Sequence, residues 1–147
     1  MKITLALLFF IFINGCGYNP IYKSINKLSY NQITLIGDKN LNRKISSALS
    51  FKEDKSNSDL KKLTLEAKKN IIVTSKNSKG QIQSYRMVIY LDLLIEDNDK
   101  IIEKRTFVKD FAYNNKENKF ELSEYENQIE NNLMNEIIEQ INIYLNA

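Results

Sequence analysis

The chain has 147 residues, with 21 basic and 18 acidic side chains for a formal charge of +3, one cysteine, four glycines and no histidine. Those counts exclude an imidazole or soft metal site, a disulfide and histidine acid/base chemistry. No GxGxxG, GxxxxGKS/T or GxSxG pattern occurs to cradle a phosphate or present a nucleophile. Positive and negative residues are interspersed, which is not the footprint of a nucleic-acid binder.

Lys2 opens the chain and an apolar run follows through Ile13, including Leu5, Leu7, Leu8, Phe9, Phe10 and Phe12. At roughly 1.5 Å per residue this run spans only about half of a ~30 Å hydrocarbon core, so the layout is that of a secretory signal peptide and not of a membrane span. The sole cysteine lies directly behind it, in Ile13-Asn14-Gly15-Cys16. A small residue before cysteine and a β-branched residue two positions earlier resemble the bacterial lipobox. That resemblance implies cleavage before Cys16, an S-diacylglycerol and an N-acyl chain on it, and stable membrane attachment through two or more acyl chains. The thiol is thereby read as an anchor and not as a nucleophile. Gly17 stands where an aspartate would retain such a protein in the inner membrane, so the same pattern implies the outer membrane, with the domain on the periplasmic side. The chain divides into a signal peptide at 1–15, a lipidated tether at 16–29 and one domain at 30–147.

Within the domain, Gln32 to Ile36 reads as a short strand that stops at Gly37-Asp38. Leu41, Ile45, Ala48 and Leu49 then recur at helical spacing behind a capping Asp38 or Asn40 and predict a helix ending near Phe51. The polar segment after it marks a loop. From Leu60 to Thr74 the odd positions Leu63, Leu65, Ala67, Ile71 and Val73 are apolar, a period of two that predicts a long strand. Lys76-Asn77-Ser78-Lys79-Gly80 reads as a hairpin turn.

Gln81 to Glu96 is a second long strand with Tyr85, Met87, Ile89, Leu91, Leu93 and Ile95 on one face. Its other face mixes Val88, Tyr90 and Leu94 with Arg86 and Asp92, which leaves open a covering loop or a partner surface. Asp97-Asn98-Asp99 makes a tight turn into a third strand, Lys100 to Tyr113. Ser123 and Glu126 form an S-x-x-E capping box, and Tyr125, Ile129, Leu133, Ile137 and Ile141 follow on one face of a helix of about 22 residues, some 33 Å long. Its stripe suits cover for the sheet. The expected fold is α+β, a two-layer sandwich of order β-α-β-β-β-α, with a mixed four-stranded sheet and both helices on one face.

Cys16-Gly17-Tyr18-Asn19-Pro20-Ile21-Tyr22 resembles the CGFxPLY start of the lipopolysaccharide-assembly lipoprotein family LptE, also called RlpB. Lys79-Gly80-Gln81 to Met87 resembles the hairpin of that family, and Tyr113 to Ile141 its last strand end and helix. The resemblance implies a lipoprotein that sits as a plug inside the LptD β-barrel, assists its assembly and contacts lipopolysaccharide, with no cofactor beyond the lipid on Cys16, no metal and no nucleic acid. It places lipopolysaccharide contact on basic residues near the hairpin and on neighbouring strands. Ser78 stands at the arginine position of the family hairpin, so the candidates are Lys76 and Lys79, then Arg86, Arg105 and Lys109.

Two other classes stay open from the residues alone. A small acylated α/β domain also serves as a secretin pilot or a barrel-assembly accessory. A carboxylate-based hydrolase would draw on Glu124, Glu126 and Glu130, although a polar helix face and first turn are ordinary places for solvated carboxylates.

Overall fold

The computed structural model describes residues 28–146. The signal peptide, Cys16 and most of the tether lie outside them. In chain order the elements are β1 (Ser29–Tyr30), β2 (Gln32–Gly37), α1 (Lys39–Leu49), β3 (Lys52–Glu53), β4 (Lys62–Lys76), β5 (Ile82–Asp97), β6 (Lys100–Asn114) and α2 (Lys119–Leu145). The main sheet has the order β2-β4-β5-β6, with β2 parallel to β4 and the other pairs antiparallel. Both helices pack on one face of it, as expected for the α+β sandwich.

Gly37 sets the first corner. It has φ +86°, and a Cβ there would overlap the Ala67 carbonyl oxygen of β4. That close approach lets the Asp38 N–H donate to the same oxygen at 2.8 Å. The Asp38 side chain then accepts from the Asn40 and Leu41 amides at 2.9 and 3.1 Å, supplying the cap. α1 buries Leu41, Asn42, Ile45 and Leu49, ending at Leu49 with Ser50 in the left-handed region. Asn42, not Ala48, completes the buried face, because its amide reaches the Ile36 carbonyl at 2.6 Å.

The three long strands carry the core. Leu63, Leu65 and Ala67 of β4 stand in register with Ile95, Leu93 and Leu91 of β5, and Leu91 with Phe107 of β6. Side chains in register share a face, and this one is fully buried under the helices. The Asn98-Asp99 turn has φ +47° and +60° at its two residues, the primed hairpin geometry that matches strand twist.

Two expectations are corrected. Ser29–Tyr30 and Lys52–Glu53, read from sequence as tether end and loop, form a small parallel two-stranded sheet. Tyr30 is buried there, edge-on to Phe51 at 5.7 Å. A two-residue pairing is too short to show any periodicity. The last helix begins at Lys119 and runs for 27 residues, roughly 40 Å. Asn118 is its cap, accepting from the Phe120 amide at 2.9 Å. Ser123 and Glu126 lie inside the helix, where Glu126 takes a hydrogen bond from the Tyr113 hydroxyl at 2.7 Å.

Candidate functional site

The hairpin between β4 and β5 is rigidly built. Asn77 Oδ1 accepts from the Lys79 and Gln81 amides, both at 2.9 Å, while the Gly80 N–H closes onto the Asn77 carbonyl at 2.9 Å. Gly80 has φ +78°, which a side chain would strain. Below the turn the β4 ladder shifts register at Thr74 and Ser75, whose hydroxyls both meet Ser84 Oγ, at 2.7 and 2.5 Å.

An aromatic base supports this end of the sheet. Tyr85 stacks on Tyr113 at 5.6 Å, Tyr125 meets Tyr113 edge-on at 6.1 Å, and the Lys116 ammonium sits over the Tyr125 ring at 4.7 Å. Burial, and then the hydrogen bond to Glu126, pushes the Tyr113 hydroxyl well above the ordinary tyrosine range. It is therefore a donor at any physiological pH. Asn115 ties the approach to α2 back onto β5, donating from its backbone to the Gln83 carbonyl and from its side chain to Ile82, at 2.8 and 2.9 Å.

The five basic candidates fall in three places. Lys76 and Lys79 are exposed at the hairpin tip. Arg86 lies on the sheet face away from the helices, 3.6 Å from Asp110. Arg105 and Lys109 lie on the helix side of β6. Arg105 is over the Tyr144 ring at 5.5 Å, and Lys109 pairs with Glu136 of α2 at 2.9 Å. The structure thus brings Lys76 and Lys79 together, adds Lys116 at the same end, and sets the other three apart.

No protein-family model matches the chain, and no curated protein does. Solved structures do. A rare lipoprotein B from Shewanella oneidensis superposes with a TM-score of 0.55 at 14% identity, over 79% of this chain and 99% of that one. A minor lipoprotein from Acinetobacter baumannii reaches 0.60 at 15% identity, over 79% and 88%. A lipoprotein B from Nitrosomonas europaea gives 0.52 at 8%, over 82% and 87%. The fold is that of rare lipoprotein B.

On this rare lipoprotein B fold the three carboxylates weighed for hydrolysis have separate surroundings. Glu124 is exposed and Glu126 holds Tyr113. Glu130, only 8% exposed, accepts from Lys44 of α1 at 2.7 Å and from Lys69 of β4 at 2.6 Å. Burial works to raise its pKa, but the hydrogen bonds from Lys44 and Lys69 and their charges outweigh it and hold the carboxyl below its ordinary value. Among the described residues no cluster of acidic or thiol side chains could hold a metal ion, and no helix is long and apolar enough to cross a membrane.

Sequence reasoning missed this clasp of α1, β4 and α2, although a signal was present. Lys69 interrupts the apolar odd positions of β4, and Glu130 interrupts the helical stripe next to Ile129 and four residues before Met134. Lys109 and Glu136 repeat the pattern on β6 and α2. A charge at a core-facing parity in a strand calls for an opposite charge on whatever covers it.

The face away from the helices is uncovered by any described element. Ile72, Tyr90 and Val108 are exposed on it, interleaved with Lys68, Arg86, Asp92 and Asp110. Among the described residues no loop folds over it.

Proposed function

We propose that the chain is a lipid-anchored, non-catalytic subunit of the lipopolysaccharide-assembly lipoprotein family, held in the outer membrane through Cys16 and facing the periplasm. Its partner is a large β-barrel of the LptD type, and it binds lipopolysaccharide. The observation that carries this reading is the rare lipoprotein B fold, which spans nearly the whole of the Shewanella oneidensis structure and is joined here to a lipobox-like Gly15-Cys16. The built-up hairpin supports a contact point for anionic lipid. Lys76 and Lys79 project from a turn whose backbone is already satisfied, so their ammonium groups are free to meet phosphates as mobile point charges.

Affinity purification of the full chain from detergent-solubilised outer membrane tests the partner. Recovery of a large β-barrel protein is expected; recovery of a multimeric secretin, or of no barrel, overturns the assignment. Substituting Cys16→Ala releases the protein from the membrane fraction if the anchor is as read.

A further inference from the structure

Among the described residues β6 is an edge strand. There it pairs with β5 alone, so along Lys100–Asn114 one row of backbone N–H and C=O groups has no described strand partner. α2 runs beside it and leaves a groove between helix and edge. Near the hairpin end the floor is Phe111, 46% exposed, against Leu133. Toward the other end the groove widens to about 580 Å³, where Phe107 and Ile143 supply apolar side chains and Ile143 is 64% exposed. The Lys109–Glu136 pair crosses between the two parts. From the helix wall Gln128, Asn132 and Gln140 face the groove. Among the described residues no hydrogen bond engages these three amides.

Both walls suit the same ligand. An unpaired edge is completed by another extended backbone, whose alternate side chains enter neighbouring pockets. Carboxamides carry a donor and an acceptor each, and so suit polar side chains that such a segment turns toward the helix. In the wider part the lining holds a single formal charge, Arg105, steadied over Tyr144, and no carboxylate. Its complement is an acidic side chain. The other open stretch, Lys68–Lys76 of β4 beyond the end of β2, exposes Ile71, Ile72 and Val73, but its cation Lys69 is already held by Glu130 of α2. We propose that the β6–α2 groove takes up an extended segment of another polypeptide by strand addition, with apolar residues against Phe107 and Ile143 and an acidic residue meeting Arg105. This inference does not depend on lipopolysaccharide binding.

The test titrates the full chain in detergent against a dye-labelled hexapeptide, acetyl-Val-Thr-Val-Thr-Glu-Thr-amide, whose valines and glutamate share one strand face, by fluorescence anisotropy. Saturable binding is expected, weakened about tenfold or more by Arg105→Glu and by Ile143→Glu. Ile72→Glu, on the opposite sheet face, leaves it unchanged. Replacing the peptide glutamate by lysine weakens binding, and N-methylating alternate peptide amides abolishes it. Circular dichroism of each variant matching the parent separates loss of binding from loss of fold. No saturation up to about 1 mM peptide overturns the proposal, as does binding indifferent to N-methylation, which would mean a site for side chains or lipid. A doubled mass in sedimentation of the chain alone, abolished by Ile143→Glu, also overturns it, in favour of pairing between two copies.

Discussion

Leu91 and Tyr90 are neighbours on one strand, yet the first has no exposed surface and the second is 37% exposed. They stand for the two faces of the sheet. On the helix side β4 and β5 present Leu63, Leu65, Ala67, Met87, Ile89, Leu91 and Leu93, sealed by α1 and α2. On the other side apolar and charged residues alternate without cover. The contrast shows that the lengths of the strands are not fixed by the core alone. The buried block ends near Ala67 on β4, whereas the strand continues to Lys76, with Ile71, Ile72 and Val73 exposed. A strand that outruns its core leaves edges and faces open beyond it.

The largest effect that would break this contrast comes from Leu91→Ala, which leaves a cavity between strands and helices and is expected to cost about 2–5 kcal/mol in urea denaturation. Gly37→Ala comes next. Forcing a side chain into φ +86° against the Ala67 carbonyl costs about 1–3 kcal/mol and shows as a lowered melting temperature. Glu130→Gln follows, at about 1–2 kcal/mol, since it leaves Lys44 and Lys69 without their counter-charge while water still reaches both head groups.

That variant also sharpens the contrast through pH. The Glu130 carboxyl titrates below its ordinary value of 4.5 in the fold, so its contribution is complete above pH 4.5 and is lost as the pH falls through the lowered value. The parent should therefore lose stability more steeply than Glu130→Gln on acidification below 4.5; parallel curves would remove the ion clasp from the account. Tyr90→Ala, on the open face, is expected to cost under about 1 kcal/mol, and a value like that of Leu91→Ala would mean that the two faces are not energetically distinct. The smallest effect on stability belongs to the double replacement Lys76→Glu with Lys79→Glu, within about 0.5 kcal/mol. Its reading lies in binding. Lipopolysaccharide capture by the full chain should weaken in the double variant, and capture by the parent should fall as salt is raised, since exposed charges are screened within about 10 Å at 0.1 M.

How far the sequence could be read depended on how local each signal was. The odd-position apolar residues of β4 and β5 placed two strands and the buried face, and Asp97-Asn98-Asp99 placed the second turn and the strand after it, because period and turn chemistry are written within a few residues. The start of α2 was misplaced for the same reason. Ser123-x-x-Glu126 is a valid local cap, and only the fold shows that Asn118 has already capped the helix one turn earlier and that Glu126 is occupied by Tyr113. The β1–β3 pairing joins residues some twenty apart and leaves no pattern in either segment. Of the candidate site, the hairpin lysines were legible from the turn. That Arg105 and Lys109 turn toward α2, and that β6 is an edge strand beside a groove, depends on strand order, which no local pattern encodes.

The described chain enters beside Lys52, whose amide donates to the Leu28 carbonyl at 3.1 Å, at the end of the sheet that carries the Asn98-Asp99 turn. The Asn77–Gln81 hairpin is at the opposite end, about 50 Å away along strands of 15 and 16 residues. A pull between those two ends runs lengthwise along the sheet, while the hydrogen bonds that join β2 to β4 and β4 to β5 run between the strands. Such a load is borne in shear by many hydrogen bonds at once instead of peeling them one after another. Mechanically the body is a tie-rod, and traction at its tip is carried undiminished to its root.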